Sequence, residues 1–352
     1  MNRFDHAAGL IAGAVASGVT PAAVAEVGRA TGTLWRAPFG RLTYDAEAPA
    51  TADDTFFDLA SLTKVLATAP LVMRAVDRGQ LRLGDPVRGY LPHWRGTDRD
   101  DVTIRDLLAH SSGLTAYLPF FRDYSGRAEF ERAICALPLE YAPRTRSIYS
   151  DLGFMLLGFI LEDLFGRSLA SCFDELARAI ATGPIGFNPP AALRPRTAPT
   201  EVDPWRGRLL AGEVHDENCW ALGGAAGHAG LFGTAAAVGT FARTVLEAFR
   251  RDTALARRTT MELFARRTID VPDSSRALGW DTMLPTSSCG TKLSARAIGH
   301  TGFTGTSLWI DPEQDLYIVL LTNRVHPTRE NNRLKELRGK IHDAVLSGIL
   351  GS

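Results

Sequence analysis

The segment Phe57-Asp-Leu-Ala-Ser61-Leu-Thr-Lys64-Val-Leu-Ala67 sets a hydroxyl and an amine three residues apart at the start of an apolar run. In a helix this spacing puts both side chains on one face, within reach of each other. A serine hydroxyl is a weak nucleophile until a neighbouring base removes its proton. An amine serves as that base only when burial or a nearby cation brings its pKa down, and the apolar neighbours of Lys64 supply burial. A helix N-terminus beside Ser61 also offers backbone N–H groups and the positive end of a dipole to an oxyanion forming there. Pro70 falls in the same run, where it lacks a backbone donor and is expected to kink or shorten the helix.

The chain has four lysines, Lys64, Lys292, Lys335 and Lys340, against thirty-five arginines. Arginine cannot be deprotonated in a protein, so a position that needs a titratable amine has to stay lysine. Of the four, Lys64 is the one inside an apolar helix. Ser-x-x-Lys is a loose pattern and chance is its competing explanation; it occurs once here.

Around this pair the periodicity predicts an opening helix over Ala7 to Ala16 and a hairpin from Pro21–Gly28 and Thr33–Tyr44. Helical stretches follow at Leu59–Leu83, Val102–Leu108, Ala128–Ala136 and Asp151–Phe165, with Gly84-Asp85-Pro86 as punctuation. Pro184 to Pro204, rich in proline, reads as a long surface excursion. Beyond it come a helix over Ala237–Phe249, strands over Thr306–Ile310 and Leu316–Thr322, and a closing helix over Arg329–Leu346. Strands at both ends with helices between predict an α+β fold: one antiparallel sheet built from the N- and C-terminal parts, flanked by helices, with a mostly helical lobe inserted. At 352 residues we expect a single large domain over 1–352, with 1–60 and 205–352 as its sheet lobe and 61–204 as its helical lobe.

Ser61-Leu-Thr-Lys64, Gly79-Gln-Leu-Arg-Leu-Gly-Asp-Pro-Val87, Leu107-Leu-Ala-His-Ser-Ser-Gly-Leu114 and Tyr149-Ser-Asp151 together resemble the penicillin-recognising serine hydrolases: class C beta-lactamases, DD-peptidases and family VIII esterases. His300-Thr301-Gly302 is similar to that family's third motif, usually Lys-Thr-Gly, on the strand bordering the site. The resemblance runs from about Asp53 to Asn323 with the motifs in family order. It implies that Tyr149 shares proton transfer with Lys64; of seven tyrosines only Tyr149 has a carboxylate or carboxamide two residues on. A phenol beside a cationic lysine has a lowered pKa, can act as base and can then return its proton to the leaving group. The alternative for Tyr149 is simple packing before a helix. The resemblance also implies an oxyanion site from the backbone N–H groups of Ser61 and Phe303, with His300, Thr301, Gly302 and Asp151 lining the substrate.

Two residues depart from the family pattern. Asp151 stands where many members have Asn, and its charge tends to raise the Lys64 amine rather than lower it. His300 replaces the commoner Lys, so attraction for a substrate carboxylate becomes weaker and pH-dependent. His110 is read as the structural end of a helix, because Lys64 already offers a base. His228, in the Gly-rich Leu222–Phe232 stretch, is either a buried hydrogen-bonded loop histidine or part of the site. No G-x-x-x-x-G-K and no G-x-S-x-G occurs, which removes a phosphate loop and the α/β-hydrolase fold.

Acidic and basic residues balance at 39 each, so no charge field argues for nucleic acid or an anionic membrane. No run of about 18 apolar residues or more predicts a membrane span, and Met1–Gly13 lacks the layout of a secretory signal; a soluble, cytoplasmic protein is expected. Cys135, Cys172, Cys219 and Cys289 lie far apart without zinc-ligand spacing, so no metal or cofactor is expected. The substrate is expected to be a small ester, amide or muropeptide. A carboxylesterase-like hydrolase is favoured. A muropeptide amidase, DD-peptidase or beta-lactamase is the enzymatic alternative, because Gly212-Glu-Val-His-Asp-Glu217, Gly223–Gly230, Leu321-Thr-Asn-Arg-Val325 and Arg329-Glu-Asn-Asn332 resemble beta-lactamase-related proteins of cell-wall turnover. A catalytically silent penicillin-binding fold is the non-enzymatic alternative.

Overall fold

Antiparallel pairing joins the two ends of the chain in a computed structural model that describes residues 3–350. Strand β1 (Ala22–Arg29) forms a hairpin with β2 (Gly32–Gly40) and pairs on its other edge with β11 (Leu316–Thr322). Beyond β11 lie β10 (Ser307–Asp311), β9 (Ile298–Thr301) and the short β8 (Asp281–Thr282), giving the order β2-β1-β11-β10-β9-β8. Strand residues alternate between two cores, as a period of two requires. Ala22, Val24, Leu308, Ile310, Val319 and Leu321 face the main helical core. Ala23, Ala25 and Leu320 face Ile11 of α1 (Asp5–Ala16) and Ile341 of α10 (Leu334–Leu350). Small residues along β1 let helices approach from both sides, and α8 (Ala235–Ala248) packs on the inner face.

Two small sheets complete the strands: β3 (Phe57–Asp58) with β7 (Leu231–Gly233) and β4 (Ile185–Phe187), and β5 (Val202–Asp203) with β6 (Arg208–Leu209). The β3–β7 pairing carries the chain into the Ser61 segment. The expected single helix over Leu59–Leu83 is divided: a 3₁₀ turn over Ala60–Leu62, a π-helical turn over Lys64–Thr68, then α2 (Ala69–Asp77). Pro70 accounts for this, because it cannot donate to an i−4 carbonyl and so takes the second position of α2, with the wider turn ahead of it.

The remaining helices are α3 (Ile104–Leu108), α4 (Gly126–Ala136), α5 (Asp151–Phe165), α6 (Leu169–Ala179), α7 (Glu217–Ala221) and α9 (Arg258–Ala265). Of these, α6, α7 and α9 were not expected from periodicity. Ser150 caps α5, its hydroxyl accepting the Gly153 N–H, and Gly166 ends it in the left-handed region at φ 64°. Its residues Leu152 to Leu161 are all buried, and each such large apolar side chain contributes about 1.5–3 kcal/mol. The Gly-rich stretch presses on this helix: a Cβ on Gly227 would meet the Phe154 carbonyl oxygen at 2.0 Å. Only glycine permits that approach. The Pro184–Pro204 excursion holds β4, a 3₁₀ turn over Ala191–Arg196 and β5. Among the described residues no helix is long and apolar enough to cross a membrane.

Candidate active site

Three elements meet at Ser61. The first is its own segment, where Ala60 holds φ 46°, a left-handed conformation that costs a non-glycine residue about 1 kcal/mol or more. Asp58, fully buried, accepts the backbone N–H of Ala60 at 2.8 Å and of His215 at 2.7 Å and so holds the turn that presents Ser61. Burial is the largest influence on the Asp58 carboxyl and its pKa is raised, the two N–H bonds opposing.

The second element is the start of α5, which brings Tyr149 and Asp151. Lys64, completely buried, donates to Asp151 Oδ1 at 2.6 Å, to Ser61 Oγ at 3.1 Å and to the His228 carbonyl at 3.0 Å. Its three N–H groups are thereby all used. Its Nζ lies 4.9 Å from the Tyr149 ring centroid and 5.6 Å from that of Phe154.

The third element is β9 and the loop after it, bearing His300-Thr301-Gly302-Phe303. A Cβ on Gly302 would meet Thr306 Oγ1 at 2.1 Å and the Leu59 carbonyl at 2.7 Å. The motif's glycine is therefore what lets this strand end close on the Ser61 segment. Thr304 and Thr306 fasten the two together, donating to the carbonyls of Asp58 at 2.8 Å and Leu59 at 3.1 Å. The Phe303 ring is half-exposed and sits between the His215 ring, 5.6 Å away, and the Arg324 guanidinium, 4.9 Å away.

A cavity of about 560 Å³ opens over these groups, lined by Ser61, Tyr149, Asp151, His300, Thr301, Gly302 and Phe303. The residues singled out from sequence thus gather in one place, with Lys64 buried beneath. Sequence reasoning assigned no role to Tyr117, His215, Asp216, Glu217, Arg276, Asp281, Arg324, Arg329, Lys335 or Arg338, which line the same cavity. Five of them, His215, Asp216, Glu217, Arg324 and Arg329, lie in the segments that resembled cell-wall proteins. That resemblance was the available signal, but no spacing rule connected the segments to Ser61.

Protonation departs from the sequence reading at three residues. Burial pulls the Lys64 amine down, but the Asp151 carboxylate and the Tyr149 phenol outweigh it, and its pKa ends above the usual lysine value. Of the two opposing influences expected on this amine, the lowering by apolar surroundings is corrected and the raising by Asp151 prevails: Lys64 rests as an ammonium. Burial dominates at Tyr149 as well and raises its pKa, with Lys64 opposing only in part. The expected lowering of the phenol fails because the ring is enclosed. Its hydroxyl is buried, with the Lys64 amine and the Ser61 hydroxyl as its polar neighbours. His300 donates from Nδ1 to the Thr301 carbonyl at 2.8 Å. Burial first, then the Lys64 and Arg276 charges, hold its pKa well below the ordinary histidine value. His300 is neutral near pH 7, which corrects the expected pH-dependent charge there.

His228 is buried and donates from Nε2 to Asp216 Oδ1 at 2.9 Å. Its carbonyl is the third acceptor of Lys64, so the residue touches the site through its backbone. His110 is buried, its ring centroid 4.7 Å from that of Tyr149. All four cysteines are free and buried. Among the described residues no group of three or more His, Cys, Asp or Glu is gathered to hold a metal ion. A serine hydroxyl, an adjacent amine, a neutral phenol and a glycine-shaped loop at the mouth of one cavity are groups of the kind that acyl transfer uses.

A family model described as Beta-lactamase matches residues 7–343. A protein of Escherichia coli (strain K12) whose name proposes D-alanyl-D-alanine carboxypeptidase activity is 33% identical over 306 residues, covering 77% of this chain and 70% of that one. An N-acetylmuramyl-L-alanine amidase of Bacillus subtilis (strain 168) is 33% identical over 304 residues, covering 77% and 68%. Among solved structures, an octameric penicillin-binding protein homologue from Pyrococcus abyssi superposes with a TM-score of 0.77 at 20% identity, covering 99% of this chain and 77% of that one.

Proposed function

The chain belongs to the beta-lactamase family, and from that membership we propose that it is a serine hydrolase that cleaves an amide of a peptidoglycan-derived peptide through an acyl-enzyme on Ser61. The observation that carries the reading is the Lys64 Nζ contact with both Ser61 Oγ and Asp151 Oδ1 at the floor of the cavity. The relatives at 33% identity, named for peptidoglycan amide bonds, support the amide over the ester.

The protons move as follows. An ammonium cannot take the Ser61 proton, so Lys64 first passes one of its own to Asp151 along their hydrogen bond, leaving a neutral amine and a neutral acid. Substrate closing over Asp151 favours this, because loss of water penalises both charges. Ser61 Oγ then attacks the carbonyl carbon while its proton goes to Lys64. The oxyanion is received by the backbone N–H groups of Ser61 and Phe303. As the C–N bond breaks, the neutral Tyr149 phenol gives its proton to the leaving nitrogen and is reprotonated from Lys64. A water molecule, deprotonated by the Lys64 amine, frees the acyl group in the reverse sequence.

The second reading is a carboxylesterase. The neutral His300 favours it, since that position offers no cation to a substrate carboxylate. Purified protein is offered a muramyl-L-alanyl peptide, a D-alanyl-D-alanine peptide, p-nitrophenyl butyrate and nitrocefin, with products followed by mass spectrometry. Amide cleavage of either peptide is expected. Turnover of the ester alone would establish the second reading, and no turnover with no labelling of Ser61 would make the chain a silent binding module.

A further inference from the structure

Ile148 and Ser150, the residues on either side of Tyr149, both give their backbone N–H to His110. Ile148 donates to the His110 carbonyl at 3.0 Å and Ser150 to its Nδ1 at 3.0 Å. Tyr141 Oη donates to the same carbonyl at 3.3 Å. The imidazole lies against the Tyr149 ring at 4.7 Å and the Phe154 ring at 5.1 Å between centroids. The His110 backbone has φ 56°, in the left-handed region. That conformation is uncommon outside glycine and is kept where the surroundings enforce it. Just past the end of α3, it lets the carbonyl and the ring of one residue reach the same segment.

His110 is not a base. Its Nδ1 lone pair is occupied by the Ser150 N–H, and burial with the nearby Arg276 and Lys64 charges keeps the ring neutral. The single ring hydrogen therefore sits on Nε2, which has no lone pair with which to take a proton.

We propose that His110 is a positioning residue for Tyr149: it clamps the backbone on both sides of the tyrosine and backs its ring, fixing where the phenol stands beside Ser61 and Lys64. The proposal rests on the proton-donating role given to Tyr149 above. It replaces the reading of His110 as only the end of a helix.

The experiment is a double-mutant cycle with a conservative rescue. His110→Ala removes the Nδ1 acceptor and the ring. His110→Asn keeps an acceptor of similar reach and tolerates the left-handed backbone. Both are made in wild type and in Tyr149→Phe, and kcat and KM are measured separately. His110→Ala is expected to lower kcat about 10- to 100-fold in wild type, within the range of a misplaced acid, with little change in KM. It is expected to cost less than about threefold in Tyr149→Phe, because residues acting as one unit are not additive. His110→Asn is expected to recover most of kcat. Equal losses in both backgrounds would overturn the proposal, and so would a folded His110→Asn as slow as His110→Ala. Amide hydrogen exchange reads the clamp without turnover: the Ser150 amide should exchange faster in His110→Ala and stay protected in His110→Asn. If Tyr149→Phe alone keeps full activity, the role of Tyr149 falls. The clamp is then judged by exchange, where an equally protected Ser150 amide in His110→Ala overturns it.

Discussion

Asp151 Oδ1 stands 2.6 Å from Lys64 Nζ, nearer than Ser61 Oγ at 3.1 Å, so the buried lysine is bonded to a carboxylate more closely than to the Ser61 hydroxyl. The carboxylate raises the amine's pKa, and in the proposed mechanism it is also the group that takes the surplus proton. Replacing it separates these effects. In Asp151→Asn the main upward influence on Lys64 is gone while burial still pulls down, so a larger fraction of the amine is free at a given pH. The acid limb of the kcat/KM profile is therefore expected to move to lower pH. An unmoved limb, or one displaced upward, would remove Asp151 from the proton path.

The neutral state of His300 makes a second prediction. Since burial and two neighbouring cations hold its pKa well below the ordinary value, its charge does not change between about pH 6 and 8. The kcat/KM ratio for an anionic over a neutral substrate should stay level over that range, in wild type and in His300→Gln alike. A ratio that falls through the range in wild type and levels in His300→Gln would show a titrating His300.

At Gly302 a single added methyl group should disturb both the fold and the Ser61 segment. The added Cβ of Gly302→Ala would stand 2.1 Å from Thr306 Oγ1 and 2.7 Å from the Leu59 carbonyl, so β9 has to move away from the Ser61 segment. Overpacking of this kind costs about 1–3 kcal/mol. A displacement of about 1 Å at the reacting groups costs about 100-fold in rate. Urea titration and kcat measure the two effects, and a variant with wild-type kcat would show that the close approach is not needed for turnover.

Stability in acid should depend on Glu201. Burial raises its carboxyl, but hydrogen bonds from His215 at 2.9 Å and Arg329 at 2.7 Å prevail and lower it to about 2. A carboxyl depressed on folding contributes stability that is present above its unfolded pKa and lost as pH falls through the folded value. The loss is therefore expected between the ordinary carboxylate range and about 2. Urea midpoints at pH 7 and about pH 3 should fall further for wild type than for Glu201→Gln. Parallel falls would mean that the group adds no pH dependence.

Much of the fold could be read from residue pattern because the relevant signals are local. Asp151–Phe165 is a helix between the bounds predicted, marked by an apolar run, the Ser150 cap and Gly166. The strand Leu316–Thr322 likewise agrees in both bounds. Where the chain departs, distant contacts decide. The helix after Ser61 ends at Asp77 and not Leu83, and it starts as 3₁₀ and π turns around Pro70. The short α7 and α9 bury few residues each and carry no extended periodicity. At the site, residue types and order brought out Ser61, Lys64, Tyr149 and the His300 motif. The upward pull of Asp151 on Lys64 could be read from its place in the motif, but not that it outweighs burial, and the burial that sets Tyr149 and His300 shows only once the chain is folded. The hold of His110 on both neighbours of Tyr149 was hidden for the same reason, since it joins residues about forty positions apart.

The central claim is that Ser61 forms a covalent acyl-enzyme, and intact-protein mass spectrometry after treatment with a fluorophosphonate probe tests it most directly. The account predicts one adduct per chain, mapped to Ser61 by peptide fragmentation, and neither adduct nor turnover in folded Ser61→Ala. Adduct formation or wild-type turnover in Ser61→Ala would contradict it.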